Sequence, residues 1–192
     1  MSPQHDIEPE KPRRGMRAGL ARFRRNRKGA TVVEFALLAF PFILLVFAVL
    51  ESCICFAAQE YMQNITDDLA RQLRTGQIRR TISAQDFRDK VCERLEFFVS
   101  DGCPGLNIDL RNFTTFEDAS KLRVYITSAG NVFIDGGAYQ FDPGTSQSKN
   151  VLRLYYHWPV LTDIMRKRIY NLSDGTTLMF STAVWQNEPF DD

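Results

Sequence analysis

The stretch Arg27-Lys28-Gly29-Ala30-Thr31-Val32-Val33-Glu34-Phe35 decides how this chain is organised, because Phe35 opens sixteen consecutive positions, to Leu50, without a polar side chain. A basic leader ends in glycine, and one acid stands inside the start of a long apolar run. From Ala30 to Ala58 the only formally charged residues are Glu34 and Glu51. A helix over 30–58 would be about 43 Å long, enough to cross a bilayer. Pro41 inside it is a tolerable kink in a membrane helix, where neighbours re-satisfy the freed backbone. A buried core helix is the competing reading, and little else in the chain is apolar enough to wrap it on all sides.

Working outward, charge divides the 192 residues sharply. Residues 1–29 hold nine Lys/Arg and three Asp/Glu, whereas the whole chain has net charge +1, so the remainder is acidic. A basic tail beside an apolar span is explained by the positive-inside bias, without a nucleic-acid ligand. Arg22, Arg24, Arg25, Arg27 and Lys28 precede the span, and Gln59, Glu60, Asp67 and Asp68 follow it. The bias therefore predicts a cytoplasmic leader at 1–29, a transmembrane helix at 30–58, and everything beyond on the far side. The apolar run is longer than the core of a secretory signal, and no A-x-A-like site follows it.

Glu34 is the informative residue, since an acid inside a membrane helix is costly and marks function by default. The competing reading places it at the headgroup level, solvated. Its surroundings resemble the processing site of type IV prepilins and pseudopilins, in which a membrane peptidase cuts after the glycine and the glutamate becomes the fifth residue of the mature chain. Cleavage after Gly29 would free an α-amino group on Ala30 that Glu34 of a neighbouring subunit could neutralise.

Gly29 through Leu37 (GATVVEFAL), with Pro41 and Glu51 beyond, resembles the N-terminal signature of the TadE-like family of the tight-adherence pilus system. Val151 through Pro159 (VLRLYYHWP) looks like its aromatic strand, and Thr182 through Phe190 (TAVWQNEPF) like its closing segment. The resemblance implies a pseudopilin-like protein of a bacterial inner membrane with no enzymatic activity and no cofactor. It implies a periplasmic domain, and as partners the prepilin peptidase, the major pilin and other pseudopilins, the inner-membrane assembly platform and membrane lipid. Gly29, Ala30, Glu34 and Phe35 are then the processing and assembly residues. The alternative is an uncleaved anchor presenting a periplasmic scaffold or binding domain.

Past the span, Ala58, Met62, Ile65, Leu69 and Leu73 recur at helical spacing and predict an amphipathic extension over 59–76, with Gly76 as its terminator. Ser83, with Asp86 three residues on, predicts a capped helix over 83–98 whose inner stripe is Phe87, Val91, Leu95 and Phe98. The period then changes to two. Leu106, Ile108 and Leu110 alternate with polar residues, as do Leu122, Val124 and Ile126, and Leu152, Leu154 and Tyr156. Thr176 to Gln186 reads as a fourth strand with Leu178, Phe180 and Val184 inward. Residues 160–170 read as a short helix or irregular crossover. The expected fold is α+β and pilin-like, a long N-terminal helix carrying a domain at 77–192 with a half-exposed antiparallel sheet.

Cys92 and Cys103 would face an oxidising compartment, where their eleven-residue separation suits a disulfide; two reduced, buried thiols are the alternative. Cys53 and Cys55 point apart on a helix and read as small apolar filler, with lipidation or an intersubunit bond as the minor options. Nothing argues for catalysis. The two histidines, His5 and His157, are isolated, and there is no metal spacing or phosphate loop. The aromatic run Tyr155–Trp158 lacks the basic surface that nucleic-acid stacking needs.

Overall fold

The computed structural model describes residues 29–160 and 170–189. The leader and most of the 160–170 crossover lie outside them. The chain divides into two compact units, Met1–Phe47 and Ala48–Asp192. Helix α1, Ala30–Arg74, is continuous through Pro41. In the first unit its large apolar side chains, among them Val32, Phe35, Leu37, Leu38, Phe40 and Phe42, are exposed. This apolar portion is long enough to cross a membrane, and none of its most apolar window is buried.

The second unit begins with the rest of α1. The inward stripe Ala58, Met62, Ile65, Leu69 and Leu73 is buried as the spacing predicts. It starts earlier than expected, however. Glu51 is only 7% exposed and Cys55 packs against the core, so the stripe begins two turns before Ala58. Gly76, at φ +72°, terminates the helix, its N–H bonding to the Leu73 carbonyl at 3.2 Å. Helix α2, Ala84–Leu95, is capped by Ser83, whose Oγ accepts from the Asp86 N–H at 3.0 Å. It stops three residues short of the predicted end. Phe98 lies in the following turn and meets the Tyr61 ring with centroids 5.2 Å apart.

Strand β1 (Leu106–Phe113) leads through a short helix α3 (Phe116–Lys121) to β2 (Val124–Ile126) and β3 (Val132–Ile134), and then to β4 (Lys149–Pro159) and β5 (Thr176–Gln186). The main sheet is antiparallel in the order β1-β4-β5. Leu152 stands opposite Leu110 and Ala183, Leu154 opposite Ile108 and Ser181, and Tyr156 opposite Leu106 and Met179. Residues directly opposite share a face, and this face packs with the stripes of α1 and α2 into one core.

Two strand expectations are corrected. The 122–127 segment does not join the main sheet. Val124–Ile126 pairs with β3 in a separate hairpin, which had not been foreseen. The main sheet has no edge left for it. The outer side of β1 is taken by Gln140–Asp142, through Leu110 N–H to Gln140 O and Asp142 N–H to Leu110 O, both 2.8 Å. The outer side of β5 is covered by side chains, with Leu178 N–H donating to Asn171 Oδ1 (2.8 Å) and Gln59 Nε2 to the Phe180 carbonyl (2.7 Å). The second correction is the facing of β5. Met179, Ser181 and Trp185 point inward, whereas Phe180 and Val184 are 57% and 54% exposed. β5 carries apolar residues on both faces, so its own pattern does not fix its register, and a slip of one residue inverts every side chain. Pairing with β4 sets it, and Ser181 is accommodated inside by a 2.5 Å hydrogen bond to Thr66.

The sheet is also less exposed than expected on its second face. Asp109 and Arg111, read as the solvent side of β1, are buried. Arg111 Nε donates to Asp109 Oδ1 at 2.8 Å, and Nη1 and Nη2 donate to the Asp135 and Ala138 carbonyls at 3.2 and 3.1 Å. The Gln140 N–H completes the set on Asp109 at 2.9 Å. The Asp135–Gln140 loop is thus fastened over the ion pair, satisfying charges that would otherwise be too costly to bury.

Candidate functional site

The residues singled out for processing sit at the very start of α1. Gly29 precedes the first helical residue, Ala30, and a Cβ built on Gly29 would meet nothing within 4 Å. Glu34 lies one helical turn beyond residue 30, and it and Phe35 are exposed. Among the described residues no ion pair involves Glu34. The site is therefore a linear motif, not a pocket. A backbone junction opens a helix, and an acid follows one turn on within an apolar surface.

The second unit holds the staple and several groups that sequence reasoning missed. Cys92, late in α2, and Cys103, in the next turn, form a disulfide with Cα atoms 5.7 Å apart. Cys103 has φ +47°, a left-handed conformation that costs a side-chain-bearing residue energy and so has to be held. Arg88 helps hold it, with Nη2 donating to the Cys103 carbonyl at 2.9 Å and Nη1 to that of Leu106. One face of α2 thus supplies both the covalent and the hydrogen-bonded latch. Cys53 and Cys55 are free thiols, one exposed and one partly buried.

Asp68 of α1 takes Arg94 of α2 at 2.5 Å and Arg71 at 3.2 Å. The bond from Arg94, then that from Arg71, holds its carboxyl below the usual carboxylate range. His157 is not isolated, because its Nδ1 lies 2.9 Å from Asp174 Oδ2. Burial pushes Asp174 upward, but bonds from Thr176 and His157 outweigh it and bring the carboxyl to about 2. Burial also pushes the Tyr155 hydroxyl up to about 12, with the Arg153 guanidinium beside it opposing. Among the described residues no group of three or more His, Cys, Asp or Glu side chains is placed to hold a metal ion.

Helical spacing would have found Arg88, four residues before Cys92 on the same face. No sequence signal marks Asp109 with Arg111, or Gln59 with Gln63, because their partners are backbone N–H and carbonyl groups brought in by distant loops and strands.

Residues 29–71 match the family model described as TadE-like protein. The match begins at Gly29, runs along α1 and stops three residues before its end. No curated protein and no solved structure matches the chain.

Proposed function

We propose, from the TadE-like sequence carried by residues 29–71, that this protein is a minor pseudopilin-like component of a tight-adherence pilus, anchored in the inner membrane and acting early in assembly. The reading is non-enzymatic. Its leader stays cytoplasmic and its disulfide-stapled domain is periplasmic. The prepilin peptidase cuts between Gly29 and Ala30, and the freed amine on Ala30 meets Glu34 of a neighbouring subunit, either the major pilin or another pseudopilin, at the assembly platform. One observation carries the reading. The family match, the helix and the exposed acid coincide, with Gly29 at the junction, Ala30 opening α1 and Glu34 one turn later on an unburied apolar surface.

The same reading places the outer limit of the lipid span at Glu51 and not at Ala58. Ala30–Leu50 already measures about 31 Å, the thickness of the hydrocarbon core. From Glu51 onward one face of the helix is packed on the domain.

The test is the N-terminus and intact mass of the protein from its native membrane, followed by Glu34→Gln. A chain beginning at Ala30, lighter by roughly 3 kDa, and loss of piliation with insertion intact are expected. A chain beginning at Met1 would overturn processing and favour the uncleaved scaffold. Normal piliation with Glu34→Gln would overturn the pairing.

A further inference from the structure

We propose that the second face of the sheet carries a binding site for a small carboxylic acid with an apolar body. A cavity of about 430 Å³ opens between the hairpin strand β2 and strands β4 and β5. Val124, Tyr125, Ile126, Leu178 and Phe180 make its apolar walls, and Thr182 of β5 joins two neighbours on one face of β4, Arg153 and Tyr155, in supplying the polar groups. Such a volume lies in the range of small-ligand sites, which are mostly apolar with a few placed polar atoms.

The polar atoms point to the ligand's chemistry. Tyr155 is fully buried, and no acceptor stands within hydrogen-bond distance of its hydroxyl, whose polar neighbour is the Arg153 guanidinium. Arg153 Nη1 is likewise buried and unpartnered, while its Nη2 donates to the Leu122 carbonyl at 3.1 Å. Buried polar groups are nearly always satisfied, and each exception needs an explanation. Arg111, on the same face of the sheet, has its carboxylate in Asp109. Among the described residues Arg153 has no ion pair. The Tyr155 oxygen can take one Arg153 N–H, but the phenol O–H and a remaining guanidinium N–H still lack an acceptor, and the two oxygens of one carboxylate meet both. The walls require the rest of the ligand to be apolar, which disfavours phosphate or a polyanion.

A peptide laid as an extra strand along β5 is excluded by the edge itself. Its outward backbone groups at Leu178, Phe180 and Thr182 are already engaged by Asn171, Gln59 and Gln63. A compact ligand entering between the exposed rings of Tyr125 and Phe180 meets no such obstacle. The site is independent of processing at Gly29 and of the pilus reading.

The test is calorimetric titration of the full chain in lipid nanodiscs, with empty nanodiscs subtracted, using 3-phenylpropionate and hexanoate, and 3-phenylpropanamide as the uncharged counterpart. Saturable one-to-one binding of at least one acid is expected, with the amide at least tenfold weaker. Arg153→Met should weaken the acid at least tenfold. Tyr155→Phe, which changes no shape and keeps the Arg153–Leu122 tie, should weaken it three- to tenfold with the unfolding profile at neutral pH retained. The proposal is overturned if neither acid binds saturably, if acid and amide bind alike, or if a folded Tyr155→Phe chain binds as the parent does.

Discussion

Replacing both Cys92 and Cys103 with alanine should lower the unfolding free energy of the Ala48–Asp192 unit by about 4–6 kcal/mol. The bond closes a loop of 11 residues, for which the chain-entropy relation gives roughly 2.8 kcal/mol. That contribution acts on the unfolded chain, so the folded geometry must survive for it to be measured cleanly. Arg88 meets this condition, since it grips the Cys103 and Leu106 carbonyls whether or not the sulfurs are joined. Both sulfurs are buried in the core, and truncating each adds a packing loss comparable to a deleted methyl group, about 0.5–1.5 kcal/mol. For a unit of this size, the sum corresponds to a drop in melting temperature of roughly 8–24 °C. Urea unfolding of the full chain in detergent micelles, followed by fluorescence of the buried Trp158 and Trp185, reads the change. A loss below about 1 kcal/mol would refute the argument, because the entropic part alone exceeds it.

Three further outcomes follow from buried groups and tight turns. Arg111→Met strands Asp109 beneath the Asp135–Gln140 loop and should cost about 3–5 kcal/mol, whereas Asp109→Asn with Arg111→Met should recover most of it, as read by the same unfolding assay. Tyr155 has a folded-state pKa raised to about 12. Its contribution is therefore complete below its unfolded value near 10 and is lost as pH rises toward 12. Tyr155→Phe should flatten this alkaline loss, worth roughly 2–3 kcal/mol, in a pH series of melting curves. Gly130→Ala meets both a left-handed φ of +75° and the Ser173 backbone nitrogen 2.5 Å from the new Cβ. It should destabilise by more than Gly102→Ala, which has the same φ but open space and should lose about 1–2 kcal/mol.

What the sequence determined by itself is whatever depends on near neighbours along the chain. The apolar run, Gly29 and Glu34, the stripe from Ala58 to Leu73, the Ser83 cap and the Gly76 stop are all local patterns whose period or side-chain chemistry forces one conformation. The candidate processing site was legible for the same reason, since it is a linear motif on one helix. Cys92 and Cys103 were legible as partners because the chain between them is short. Only the tertiary structure decided the facing of β5, where apolar residues lie on both sides and the register comes from β4. It alone sent Val124–Ile126 to a hairpin with β3, because both outer edges of the main sheet were already occupied. It also turned Asp109, Arg111 and Glu51 inward. A charge reads as solvent-facing until a distant loop or strand arrives to cover and pair it, and that arrival is a non-local event no short window of sequence contains. The cavity beside Arg153 and Tyr155 belongs to this second class, since it exists only where a hairpin crosses a sheet it does not join.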